Sequence, residues 1–235
     1  MIKTDQLIEH IIKELDNPNY VNPDDIPNID LYMDQVTTFM DKYLGGCKRN
    51  EDDKILTKTM INNYAKNHLL PSPEKKKYSE DHLLILIFIY YLKGFLSIND
   101  IQTLITPLIN EHYQNNASIS LKEIYSTIFK IEQTQIDDWK DELARLNDVS
   151  KTVFNEQPDK DILQSFALIC LLSFDVYMRK RTIETIIDKL IKPAGEQPVK
   201  PVKAEKKEKR KKKRNNNKRF PVNAPLFRCF IKTDT

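Results

Sequence analysis

The chain has 235 residues, 40% of them apolar and 30% charged, with 12 prolines and only four glycines (Gly45, Gly46, Gly94, Gly195). That length allows one or two domains with a sizeable core, and so little glycine argues against a fold built on many tight turns or phosphate loops. The net charge of +3 hides a split, because residues 200–219 carry 12 basic and 2 acidic groups while residues 1–199 carry 23 basic and 31 acidic ones; total charge therefore excludes no partner, and local charge has to decide.

Leu7, Ile8, Ile11, Ile12 and Leu15 predict an amphipathic helix over 4–15. Its start is acid-bearing and unlike a signal peptide. "NPNYVNPDDIPN" holds three prolines, which end that helix and predict a linker. A second helix is expected over 31–44, with Val36, Phe39, Met40, Tyr43 and Leu44 inward, stopped by Gly45-Gly46. A third is expected over 57–68, with Met60, Ile61 and Tyr64 inward and its Asn and Lys residues outward. Pro71 and Pro73 prevent it from continuing. Ser79 is an N-cap candidate for the next helix, which is apolar nearly all round to Leu92 and so predicted to be central. Its ten-residue apolar run from Leu83 falls short of the about 20 a membrane span needs.

Ser97 with Asp100, and Ser120 with Glu123, open two further helices in the manner of capping boxes. The second of these is predicted to break near 132–135. Its Trp139, with Ile136, Leu143 and Leu146, suits a core or a dimer seam. Residues 161–191 predict one long helix, apolar from Ile162 to Met178. From Pro193 onward the composition predicts disorder. Its lysine-rich run reads either as a non-specific nucleic-acid arm or as a solvated extension with no specific partner, and its lack of interleaved aromatics argues against a stacking platform. Residues 75–78 have room for a two-stranded wing.

Helix, turn, helix, short basic proline-containing loop, then Tyr-Ser and a helix is the layout of a winged helix-turn-helix. Thr57, Lys58, Thr59, Asn62, Asn63, Lys66 and Asn67 supply the donors and acceptors a major groove demands. Lys75, Lys76 and Lys77 suit phosphate contact. Residues 58–77 hold five lysines and one glutamate on an otherwise acidic body.

"MINNYAKNHLLPSPEKKKYSEDHLLILIFIYYLKGFLSINDIQTLI" resembles the N-terminal DNA-binding domain of the MerR type. Tyr64, Leu69-Leu70-Pro71, Lys76, Tyr78-Ser79 and Gly94-Phe95 match its pattern in order. The glycine that precedes Leu-Leu there falls on His68 here, its arginine on Asn62 and its first tyrosine on Asn63. The resemblance implies a DNA interface that also includes Tyr64 and Tyr78. "IPNIDLYMDQVTTFM" together with "ILTKTMINNYAKNHLLP" is similar to a Gram-positive bacterial family known as a domain of unknown function, for which a regulatory role is implied.

The three cysteines, Cys47, Cys170 and Cys229, are odd in number and widely spaced, which predicts no disulfide framework and a cytoplasmic, non-membrane protein. No histidine has metal-ligand spacing to a cysteine, and no nucleotide or hydrolase motif occurs, so no cofactor, metal or catalytic residue is expected. The expected architecture is all-α. It has an N-terminal helix and linker (1–27), a MerR-like winged helix (28–112), a helical dimerisation or effector bundle (118–192) and a disordered basic tail (193–235). The expected function is sequence-specific binding of double-stranded DNA by a homodimeric transcriptional regulator. A helical protein–protein adaptor, or an RNA-associated protein acting through its tail, are the alternatives.

Overall fold

A computed structural model describes residues 4–16, 20–114 and 117–191. The chain divides into a unit of Met1–Ala194 and a segment Gly195–Thr235. The basic tail and its expected disorder lie outside the described residues.

Among the described residues the protein is helical with one small sheet. The order is α1 (Thr4–Glu14), β1 (Leu31–Tyr32), α2 (Met33–Leu44), α3 (Lys58–Lys66), β2 (Lys77–Tyr78), α4 (Glu80–Leu92), α5 (Ile98–His112), α6 (Leu121–Ser150) and α7 (Lys160–Ile186). A π-helical turn, Ile187–Ile191, continues α7. Strands β1 and β2 pair antiparallel, Leu31 opposite Tyr78 and Tyr32 opposite Lys77. The helix expected over 31–44 therefore begins only at Met33. Its first two residues serve as a strand because Leu31 turns into the core while Tyr32 faces water.

Helix α4 is the centre. Leu83 to Ile87 and Ile89 are all buried, and each such side chain contributes about 2 kcal/mol of burial free energy. Around it pack α2, α3, α5, the first turns of α6 (Leu121, Tyr125) and the end of α7 (Ile183, Ile187).

The Pro-rich stretch is not a free linker. Val21 and Ile26 are buried in this core. The Val21 amide donates to the Tyr91 hydroxyl at 3.1 Å, and its carbonyl accepts from the buried Tyr125 hydroxyl at 2.6 Å. Tyr20 stacks on Tyr91 with ring centroids 4.9 Å apart. The prolines stop helix formation, and the apolar residues between them bind this segment to the domain.

Helix α6 runs unbroken for 30 residues, roughly 45 Å at 1.5 Å per residue. No break occurs at 132–135 because that stretch contains neither Gly nor Pro; its lack of apolar residues only means that it faces water. The capping box at Ser120 and Glu123 is present. A second, smaller core joins α1, α6 and α7 through Ile8, Leu143, Leu146 and Leu168. Gln164 on α7 donates to the carbonyls of Lys151 and Val153, holding the α6–α7 connection.

Helix α7 buries only part of its surface. Residues 160–189 are long and apolar enough to cross a membrane by length and composition, with a mean hydropathy of 1.5 over the best window and 6% of that window buried.

Candidate nucleic-acid interface

Helix α3 opens on Thr57, whose Oγ1 accepts from the Met60 amide at 3.2 Å. This hydroxyl satisfies one of the orphan donors of the first turn. Ile61 and Tyr64 point into the core, with Met60 partly buried beside them. Thr59, Asn62, Asn63 and Lys66 are exposed. Their three- and four-residue spacing makes them one outward face. Asn67 follows as the C-cap, also exposed.

The helix ends in a left-handed turn. His68 has φ 56°. The His68 amide donates to the Ala65 carbonyl at 3.3 Å, and the Leu69 amide to the Tyr64 carbonyl at 2.9 Å. That double bond pattern is a Schellman motif, a position normally occupied by glycine. The side chain of Gln102 on α5 donates to the Asn67 carbonyl at 3.1 Å. The exposed end of α3 is thus held from two directions.

The Lys-rich loop is a tight hairpin. The Lys77 amide donates to the Glu74 carbonyl at 2.8 Å. Between them Lys75 and Lys76 have φ of 49° and 66°. Two successive left-handed residues at a two-residue tip make a type I′ turn, for which Asn-Gly is the favoured pair. Lys75 and Lys76 are exposed at this tip, and Lys77 is half-buried.

The junction of β1 and α2 touches both pieces. Tyr32 is 55% exposed, and the ammonium of Lys77 lies over its ring, 5.5 Å from the centroid. Two residues on, the Asp34 carboxylate pairs with the ammonium of Lys58, in the first turn of α3. The basic hairpin and the beginning of α3 are therefore brought to neighbouring residues at the junction of β1 and α2.

Not every residue expected at an interface is available to one. Thr57 uses its hydroxyl as a cap, and Lys58 shares its charge with Asp34. Tyr64 and Tyr78 are core residues, 8% and 3% exposed, and burial pushes both phenols up. Their rings pack where a phosphate-contacting hydroxyl would have to reach out. The residues that remain on the surface are Thr59, Asn62, Asn63, Lys66, Asn67, Lys75, Lys76 and, in part, Lys77. Sequence reasoning missed Tyr32, an exposed aromatic beside the hairpin. Its only signal is the in–out alternation of Leu31 and Tyr32, too short to register as a strand.

Beneath the hairpin lies a buried aromatic cluster. His82 is 1% exposed. Its ring meets Tyr78 and Tyr113 edge-on, with centroids 5.4 and 5.3 Å away. The Ser79 amide donates to His82 Nδ1 at 3.0 Å, so this histidine fills the place that glutamate takes in a capping box. Burial lowers the His82 pKa, against smaller upward pulls from the Pro71 and Ser72 carbonyls and from Asp81 and Asp30.

Elsewhere, a cavity of about 270 Å³ is lined by Cys47, Asp53, Tyr90 and Lys93 among others. The Cys47 thiol is pushed up by desolvation, the opposite of an activated nucleophile. Among the described residues no group of three His, Cys, Asp or Glu side chains is placed to hold a metal ion.

Residues 21–128 match the family described as Domain of unknown function (DUF1836). No curated protein and no solved structure matches the chain. The matched stretch takes in β1, α2, α3, the hairpin, β2, α4, α5 and the first turns of α6. It contains every element of the interface just described and leaves most of α6 and all of α7 outside.

Proposed function

We propose that residues 21–128 act as a winged helix-turn-helix that binds double-stranded DNA sequence-specifically, as part of a transcriptional regulator. Helix α3 enters the major groove and the Lys75–Lys76 hairpin lies along phosphates. The observation that carries this is the contact of Tyr32 with Lys77 and of Asp34 with Lys58, two residues apart. These contacts bring the base of the basic hairpin and the first turn of α3 to neighbouring residues of the chain. The left-handed His68, at the position where MerR-type domains carry glycine, supports the same alignment of chain and fold.

The division of labour follows from chemistry. Asn62, Asn63 and Asn67 present paired donors and acceptors suited to the adenine edge. Lys66 reaches guanine or phosphate. Lys75 and Lys76 neutralise backbone charge and add affinity without sequence preference.

The test is selection of duplexes from random sequence by the full chain, followed by anisotropy titrations. Replacing Lys66, Lys75 and Lys76 with Ala should weaken binding to all duplexes. It should also flatten the salt dependence by about one unit of slope for each phosphate no longer neutralised. Replacing Asn62 and Asn63 with Ala should change the selected sequence. If the triple lysine variant binds as well as the parent, and deletion of residues 200–235 alone abolishes binding, the basic segment carries the affinity and α3 is not a reading helix.

A further inference from the structure

We infer that the outward face of α7 is a homodimer seam, on which α7 of a second copy of this chain packs antiparallel. Helix α7 turns Leu168 and its half-buried neighbours Leu171 and Leu172 toward α1 and α6. On the other side Ile162, Phe166, Ile169, Phe174, Val176 and Tyr177 are 59%, 63%, 60%, 64%, 61% and 56% exposed.

The spacing of that exposed face is specific. Ile162, Phe166, Ile169, Ser173, Val176 and Lys180 follow one another at steps of four and three residues. That is the 3.5-residue seam of a two-helix coiled coil rather than the broader stripe of a helix packed on a globule. In chain order it continues to Ile183 and Ile187, which do pack, against the main core. The same seam is therefore filled by this protein at its C-terminal end and empty from Ile162 to Val176.

The area suits a second copy. The four apolar seam residues and the flanking Tyr177, exposing on the order of 100 Å² each, give roughly 500 Å² per protomer. That is a large patch for a monomer, and doubled it gives about 1,000 Å², the threshold for a specific protein–protein interface.

Charge sets the direction. Before the stripe come Glu156, Asp159 and Asp161 with a single Lys160. At its far end come three consecutive cations, Arg179, Lys180 and Arg181, the first two of them paired within the helix to Asp175 and Glu184. An antiparallel pair brings each acidic end beside the partner's basic end and opposes the two helix dipoles. A parallel pair stacks like charge on like. In the antiparallel register Phe166 of one copy meets Val176 of the other, Ile169 meets Ser173, and the exposed Cys170 lies beside Cys170 of the second copy across the two-fold axis. The seam is then isologous and closes on itself.

A bilayer is the poorer occupant. The face of α7 opposite the seam lies along α6, which bears Asp137, Asp138, Lys140, Asp141, Glu142, Arg145 and Asp148. Arg179 bonds Asp175 at 2.9 Å and lies over the Trp139 ring. Inserting α7 while it keeps these contacts would draw a row of charges into hydrocarbon.

Dimerisation is independent of DNA binding, and either can fail alone. The experiment uses the full chain with Cys47 and Cys229 replaced by Ser, so that Cys170 is the only thiol. Sedimentation should give a dimer at micromolar concentration, and mild oxidation should join Cys170 to Cys170. The pair Phe166→Glu and Ile169→Glu should halve the molar mass and abolish the concentration dependence of the melting midpoint that a dimeric parent shows, while leaving the helical circular dichroism unchanged, since both residues face water within a single chain. With Cys170 also replaced by Ser, an Ile162→Cys variant should not cross-link to itself. A monomeric parent, a dimer that survives the two glutamates, or self-cross-linking at position 162 with none at Cys170 would each overturn the inference. So would flotation of a monomeric parent with phosphatidylcholine–phosphatidylglycerol vesicles, abolished in the glutamate variant, which would assign the face to a membrane.

Discussion

Replacing Lys75 with Asn and Lys76 with Gly should make the protein more stable and a weaker DNA binder at once. Both lysines occupy the left-handed region, at a cost of about 1 kcal/mol or more for each L-residue with a full side chain. Asn tolerates that region, and Gly adopts it freely but gives back roughly 0.5–1 kcal/mol in unfolded-state entropy. The expected net gain is about 1 kcal/mol, or a rise in melting midpoint of about 2–4 °C for a unit of this size. Binding should move the other way. Neutralising two phosphates fewer lowers the slope of log affinity against log salt by about 2. The control is Lys75→Ala with Lys76→Ala, which removes the same charges but keeps side chains in left-handed geometry. It should show the shallower salt slope without the gain in stability. Scanning calorimetry and anisotropy titrations across salt read the two effects separately. A lower midpoint in the Asn-Gly variant would show that the tip carries no strain, and an unchanged salt slope in both variants would remove the hairpin from the interface.

Three further outcomes are expected. His82 has a folded pKa below its ordinary 6.5 because it is buried as the neutral ring; the unfolded chain then binds more protons below that value, so stability should hold above pH 6.5 and fall as pH drops beneath it, by at most about 1.4 kcal/mol per unit from this group. Urea midpoints measured from pH 7.5 to 5 for the parent and for His82→Gln should differ in this slope, and parallel curves would show that His82 does not titrate on unfolding. Tyr125→Phe keeps the ring against Phe88 but strips the Val21 carbonyl of its 2.6 Å donor; the expected loss is about 1–3 kcal/mol in urea unfolding, and a neutral result would mean that water replaces the hydroxyl. His68→Gly should raise stability by about 1 kcal/mol, because glycine suits the C-terminal turn of α3, and a loss would contradict the left-handed geometry at that residue.

Helix positions are largely legible in the sequence because their signals are local. The all-apolar run of α4 marks a central helix, and Ser97 and Ser120 mark helix starts through side chains acting within three residues. The inward set of α3, Met60, Ile61 and Tyr64, follows from periodicity alone. What is not legible depends on contacts far apart in sequence. Strand β1 is two residues long and exists because Tyr78 and Lys77, 45 or more residues later, pair with it. Val21 reads as linker because its partners, Tyr91 and Tyr125, lie 70 and 104 residues away. His82 escapes notice as a cap because the familiar partner at that place is glutamate. Thr57 reads as a groove-facing donor although its hydroxyl is committed to the helix it starts.

The same distinction explains where strain can be tolerated. The tip of the hairpin is unfavourable by itself, with two lysines left-handed and like charges adjacent. It persists because its base is fixed on three sides: Leu31 and Tyr32 pair with it, Tyr78 is buried edge-on against His82, and the Ser79 amide is held by His82 Nδ1. Each of these anchors is interior or backbone, so changes at the tip leave them intact. Strain kept at an exposed basic turn by a rigid buried base makes sense if the tip's charge contributes more in a complex than its geometry costs in isolation. A solvated loop without a partner would gain by taking Asn-Gly there, whereas a phosphate-binding hairpin would lose two cations by doing so.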